Sequence, residues 1–245
     1  GSVEPAVGVL AGGTLVRVLG RGFSPSVPLM VRVGMQSLVR AHVLSSTMLE
    51  VLTPSQTQPG LLALELSLNA QDFSTDEVLF EYQADMRLDD MAPSRGPRSG
   101  GTAAVIRGAG FSRRSAVLSY TSVRFNTTRV PAVWVSSEEL RCIVPEHAAG
   151  LVSVSVTQND QQYTSSSLRF EYEDVAAYSV EPSTGPLLGG TTIIVRGASL
   201  HDAPGGGEYG AWCSFGGLDV VGASFDGEGT VRCITPAAGR AGAVA

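Results

Sequence analysis

One phrase occurs three times along this sequence. Pro182, Gly185, Pro186, Gly189, Gly190 and Thr191 keep a spacing that Pro93, Gly96, Pro97, Gly100, Gly101 and Thr102 repeat. Pro5, Gly8, Gly12, Gly13 and Thr14 repeat it more loosely. The Gly-Gly pairs begin at 12, 100 and 189, a period of 88 and then 89 residues. That is too long for a solenoid unit and suits a whole small domain. A length of 245 residues allows two or three domains, in agreement with the repeat. Pro and Gly punctuate a loop, and the Gly-Gly-Thr then opens an alternating apolar run, the signature of a strand.

With the copies aligned, Val16 and Val18 match Ala104 and Ile106, and Ile193 and Val195, on the core face. Arg17, Val105 and Ile194 fall on the other face, as period-two alternation requires. Gly20, Gly22 and Phe23, like Gly108, Gly110 and Phe111, read as a tight turn followed by a core plug, which degrades to Gly197, Ser199 and Leu200 in the third copy. Further strands read as Val31–Val33, Val123–Phe125 and Cys213–Phe215, then as runs ending at Pro54, Pro145 and Pro236. Pro cannot donate to a ladder, so it ends each run. Leu62, Leu64 and Leu66 match Val152, Val154 and Val156, a turn follows at Asn69 or Asn159, and each complete copy closes on Phe80 and Tyr82 or Phe170 and Tyr172. No segment carries a helical period. About seven short strands per copy describe a β-sandwich of immunoglobulin type.

These motifs together resemble the IPT/TIG family of immunoglobulin-like domains, over nearly the whole chain. The resemblance implies an all-β protein of three tandem immunoglobulin-like (E-set) sandwiches, the last incomplete. The expected bounds are 1–84, 85–174 and 175–245. The third copy stops at Gly242–Ala245 within a strand that the others complete, so the chain reads as a fragment of a longer protein. The family occurs in plexin-like receptors, in fibrocystin-like surface proteins, beside carbohydrate-acting enzymes and in some transcription factors. Fold therefore constrains function only loosely.

Cys213 and Cys233 fall on two facing core positions, which hold Val31 and Val51 in the first copy and Val123 and Cys142 in the second. A disulfide in the third copy is expected, stabilising by roughly 3 kcal/mol, with Cys142 a buried free thiol. The alternative is three buried thiols acting as small hydrophobes. Asn126 opens the one Asn-x-Thr glycosylation sequon, just past a core strand.

Chemistry is sparse. His42, His147 and His201 occupy unmatched positions, and no Gly-x-Ser-x-Gly elbow or zinc spacing is present. No catalytic residue, metal site or cofactor is expected. The net charge of −6 argues against a duplex nucleic-acid partner, and no run approaches a membrane span. Charge is uneven: residues 1–85 carry −4, 86–172 carry +3 and 173–245 carry −5. In the basic middle copy, Arg113 and Arg114 are expected to face the first copy near Asp85 and Asp89. Arg95 and Arg98 are expected to face the third copy, at the loop running from His201 to Tyr209. Docking between copies and binding of an anionic glycan remain open beside simple scatter, since exposed pairs contribute about 0–1 kcal/mol each.

The reading is a non-enzymatic segment of a large extracellular or cell-surface protein. It would be a semi-rigid rod whose partners are neighbouring domains of its own chain and cell-surface proteins or glycans. The alternative is an accessory module of a secreted carbohydrate-acting enzyme.

Overall fold

The computed structural model describes residues 1–34, 37–76, 78–165, 167–200, 212–216, 219–226 and 229–243. Two compact units emerge, 1–90 with 106–142 and 154–168, and 91–105 with 143–153 and 169–245.

In the first unit, the first repeat is a sandwich of a four-stranded and a five-stranded sheet. One sheet orders Ser2–Glu4, Leu15–Leu19, Met48–Leu52 and His42–Ser45. The other orders Val7–Val9, Val78–Gln83, Gly60–Ser67, Met30–Val33 and Ser37–Arg40. Val7–Val9 runs parallel to the closing strand, so the loop before the glycines also supplies a strand. Val16, Val18, Val31, Val33, Leu49, Val51, Leu64 and Phe80 meet in the core, as the alternation requires. Tyr82 packs edge-on against Phe80 and donates its hydroxyl to the Pro54 carbonyl at 2.8 Å.

The recurring glycines have a steric cause. Gly12 holds φ +75°, and a Cβ there would lie 2.6 Å from the Pro54 carbonyl carbon. Gly100 and Gly189 repeat this, with a Cβ 2.5 Å from Pro145 and from Pro236. The Gly-Gly turn thus packs on the Pro that ends the facing strand, and no side chain fits between.

From the second repeat, the first unit holds the hairpin of Ser122–Phe125 with Thr128–Ser136 and the pairing of Ser122–Phe125 with 154–157. It also holds the pairing of 132–136 with 139–142. One element departs from the all-strand expectation: Arg113–Val117 is a short α-helix. Ser112 caps it, accepting from the Ser115 N–H, so a turn signal that looked like loop carries one helical turn.

In the second unit, Arg95–Pro97 runs parallel to Arg169–Glu173, the same relation that Val7–Val9 has to its closing strand. Val105, expected off the core face, is buried, whereas Arg17 at the matching position is exposed. The third repeat forms a five-stranded sheet ordered Ala176–Glu181, Thr192–Ala198, Thr230–Ile234, Asp219–Phe225 and Trp212–Phe215.

Candidate interdomain interface

A concentration of side-chain hydrogen bonds between repeats lies where the second repeat meets the start of strand Leu15–Leu19, within the first unit. Strand Ser2–Glu4 pairs only with Arg17, Val18 and Leu19, so the backbone edge at Leu15 is left without a strand partner on that side. Gln161 of the second repeat fills the gap. Its Oε1 accepts from the Leu15 N–H at 2.8 Å and its Nε2 donates to the Leu15 carbonyl at 2.8 Å. A side-chain amide has the donor and acceptor of a peptide group, so it extends the ladder by one rung.

The loop that presents Gln161 is built by local hydrogen bonds. Thr157 Oγ1 accepts from the Asp160 N–H at 3.0 Å. Asn159 Oδ1 accepts from the N–H groups of Gln161 and Gln162 at 3.1 and 3.0 Å. The turn aims Gln162 at the glycine turn, where its Nε2 donates to the Gly13 carbonyl at 3.2 Å and its Oε1 accepts from Thr14 Oγ1 at 3.1 Å. Asn159 Nδ2 reaches Thr14 Oγ1 as well. Thr14 is fully buried and Asn159 is 4% exposed.

A second group of contacts centres on the helix. Gln83, just past the closing strand's Tyr82, is 7% exposed and its amide exchanges hydrogen bonds with the fully buried Ser115 hydroxyl, at 2.8 and 3.1 Å. Arg114 pairs with Glu81 at 3.3 Å. The Tyr120 hydroxyl is pushed upward in pKa, mainly by burial, with the Ala6 backbone nearby opposing the shift. Gln158 braces the helix from behind, donating to the Gly110 carbonyl at 3.0 Å and accepting from the Ser112 N–H. Buried amides in such a network contribute about 0.5–1.5 kcal/mol per hydrogen bond, and leaving one unpartnered costs more.

Among the sequence-derived residues, Arg114 therefore reaches the first repeat, but its partner is Glu81. Asp89 is taken by Arg87 at 2.6 Å. Arg113 opens the same helix. Arg95 and Arg98 lie in the second unit. Arg95 pairs with Glu173 at 3.3 Å and with Glu171 at 4.0 Å, and Arg98 pairs with Asp174 at 3.0 Å. The loop from His201 to Tyr209 lies outside the described residues. Cys213 and Cys233 form a disulfide with Cα atoms 6.4 Å apart, and Cys142 is buried, its thiol pushed up to about 12 by burial alone. Asn126 is exposed at the tip of a hairpin, at φ 53°, a conformation Asn tolerates. Among the described residues no group of three His, Cys, Asp or Glu side chains could hold a metal, and no helix is long and apolar enough to cross a membrane.

Sequence reasoning missed Gln83, Ser115, Gln158, Gln161 and Gln162. The available signal was the amide-rich run Gln158–Gln162 in a chain otherwise sparing of such residues, matched in the first repeat by Leu68–Asp72.

The family model for the IPT/TIG domain matches residues 1–82, 86–172 and 177–244. The chain belongs to the IPT/TIG family. Its IPT/TIG repeats are 30% identical over 198 residues to mouse (Mus musculus) Fibrocystin-L, covering 80% of this chain and 4% of that protein. Human (Homo sapiens) Plexin-A3 is 32% identical over 129 residues, covering 46% of this chain and 6% of the relative. The chain thus spans a small fraction of the curated relatives it matches. Among solved structures, the full extracellular region of Plexin A4 aligns with 96% of this chain and 20% of its own, at TM-score 0.57 and 20% identity. That likeness concerns the fold.

Proposed function

We propose that this IPT/TIG segment is a non-enzymatic part of a large extracellular protein, serving as a semi-rigid spacer that displays surface to protein or glycan partners. The polar clamp between the first two repeats supports the spacer reading, because its hydrogen bonds fix orientation. Residues 84–86 leave too little chain for independent tumbling between strands Val78–Gln83 and Arg87–Ala92. The similarity to Fibrocystin-L and to plexins supports an extracellular setting. Repeat bounds of 1–84, 85–174 and 175–245 suit this reading, with Asn126 free to carry a glycan and Arg113 open to an anionic partner.

Spin labels at Ser46 and Ser137, matching exposed positions of the two sandwiches, test it. A single narrow distance distribution is expected, broadened by Gln161→Ala combined with Gln83→Ala. A broad distribution in the unsubstituted protein would overturn the spacer reading.

A further inference from the structure

The second repeat shows what its leading pole does: it grips the Gly-Gly-Thr strand start of the repeat before it. The first repeat carries the same pole, and there it is uncovered. Ser67, Asn69, Gln71, Phe73 and Ser74 match Thr157, Asn159, Gln161, Tyr163 and Thr164. The local bonding is the same. Asn69 Oδ1 accepts from the Gln71 and Asp72 N–H groups at 3.0 and 2.9 Å, as Asn159 does for Gln161 and Gln162. Ser74 Oγ accepts from the Leu66 N–H at 3.0 Å, as Thr164 does from Val156. Arg32 stacks on Phe73 at 3.7 Å and Arg124 on Tyr163 at 3.8 Å. The loop is thus preorganised in both repeats, and among the described residues only that of the second repeat has an occupant.

Exposure tells the two apart. Asn159 and Gln158 are each 4% exposed, whereas Asn69 is exposed and Leu68, at the Gln158 position, is 65% exposed. Val27 adds a second exposed apolar side chain at 39% on the turn that replaces the helix. Between Arg21, Phe23, Leu29, Leu68 and Asp72 lies an open cleft of about 380 Å³. An apolar side chain this exposed beside a preorganised amide is the composition of an interface core with its polar rim.

From this equivalence we infer that the leading pole of the first repeat docks the trailing pole of another IPT/TIG sandwich, with Gln71 pairing to the backbone of that sandwich's strand start. The target is backbone: the N–H and C=O of the residue after Gly-Gly-Thr. That phrase recurs here as Gly12–Thr14, Gly100–Thr102 and Gly189–Thr191, so any sister repeat presents it. Leu68 and Val27 would take the place of the Gln158-braced helix, making the contact more apolar than the native junction. The inference rests on the spacer reading above.

The test places a copy of residues 1–88 in front of the full chain, which preserves the 88-residue period. Tethering supplies a high effective concentration for a contact too weak to form between free molecules. Labels sit at Ser46 of the added copy and Ser46 of the chain, with Ser46 and Ser137 labelled in a parallel sample. The expected result is a distribution across the new junction about as narrow as the native one, broadened at least two-fold by Gln71→Ala in the full chain. A broad distribution indifferent to Gln71→Ala, beside a narrow native junction and slow exchange of the added copy's Val16 amide, overturns the docking inference alone. Broad distributions at both junctions overturn the spacer reading with it. Narrowing that depends on protein concentration shows pairing between copies of the chain and also overturns the inference.

Discussion

The closing strands of the first two repeats end in matching residues that find different partners. Glu81 and Glu171 occupy one position, Gln83 and Glu173 another. In the first repeat both side chains reach forward, Glu81 to Arg114 and Gln83 to Ser115 of the next sandwich. In the second both are held by Arg95 of their own sandwich. The difference begins at one site, since Arg95 stands where the first repeat has Val7. Val7 is fully buried and offers no cation, so Glu81 is free to pair across the junction. A neutral amide at 83 can be buried against a neighbour's hydroxyl, whereas a carboxylate at 173 requires a cation to be buried at all. The same fold thus makes a trailing pole whose acid reaches the next sandwich, or one whose acids pair with a cation of their own sandwich, by exchanging two residues.

Swapping those residues should have unequal effects. Gln83→Glu places a carboxylate 7% exposed against Ser115 and removes the amide donor. We expect it to cost about 1–3 kcal/mol in chemical denaturation of the full chain. Glu173→Gln gives up a partly exposed ion pair and should cost less than about 1 kcal/mol. Equal costs would remove the distinction between the two ends.

A smaller contrast lies in the loops. Asn69→Ala and Asn159→Ala both lose the bonds that shape the turn, but only Asn159 also reaches Thr14. Asn159→Ala should therefore be the more damaging by about 0.5–1.5 kcal/mol, read from the two denaturation midpoints at a shared slope.

The repeats also differ at a core position that matters only in alkali. Val51 and Cys142 correspond, and burial raises the Cys142 thiol to about 12, above the unfolded value of about 8.5. A raised acid favours its neutral form in the fold, so this stability is complete below about pH 8.5 and is lost as pH climbs toward 12. Tyr82, raised mainly by burial, adds in the same direction. Cys142→Val should leave the melting temperature at pH 7 little changed and reduce its decline above pH 9. An unaltered decline would place the thiol outside the linkage.

The sandwich itself was legible in the sequence because its signals are repeated and local. Gly12, Gly100 and Gly189 mark a turn that admits no side chain, and Val16 and Val18 declare a face by period two. The disulfide was legible because three copies expose one position to comparison. The interface was not, because its residues carry meaning only through what lies across from them. Gln161 reads as an ordinary polar turn residue until the strand start at Leu15 is placed beside it. The helix Arg113–Val117 was hidden by its length of one turn, too short to show a period. Counting charges by copy singled out Arg114 without pointing to Glu81, because it says nothing about which carboxylate has a cation of its own.

The Gln161 amide completes the strand edge at Leu15, and amide hydrogen exchange at Leu15 reads that pairing. In the unsubstituted protein the Leu15 N–H should exchange at least ten-fold more slowly than in Gln161→Ala, with Ala103, at the matching strand start of the second repeat, unchanged between the two. An equal Leu15 rate in both proteins would show that Gln161 does not hold the Leu15 edge.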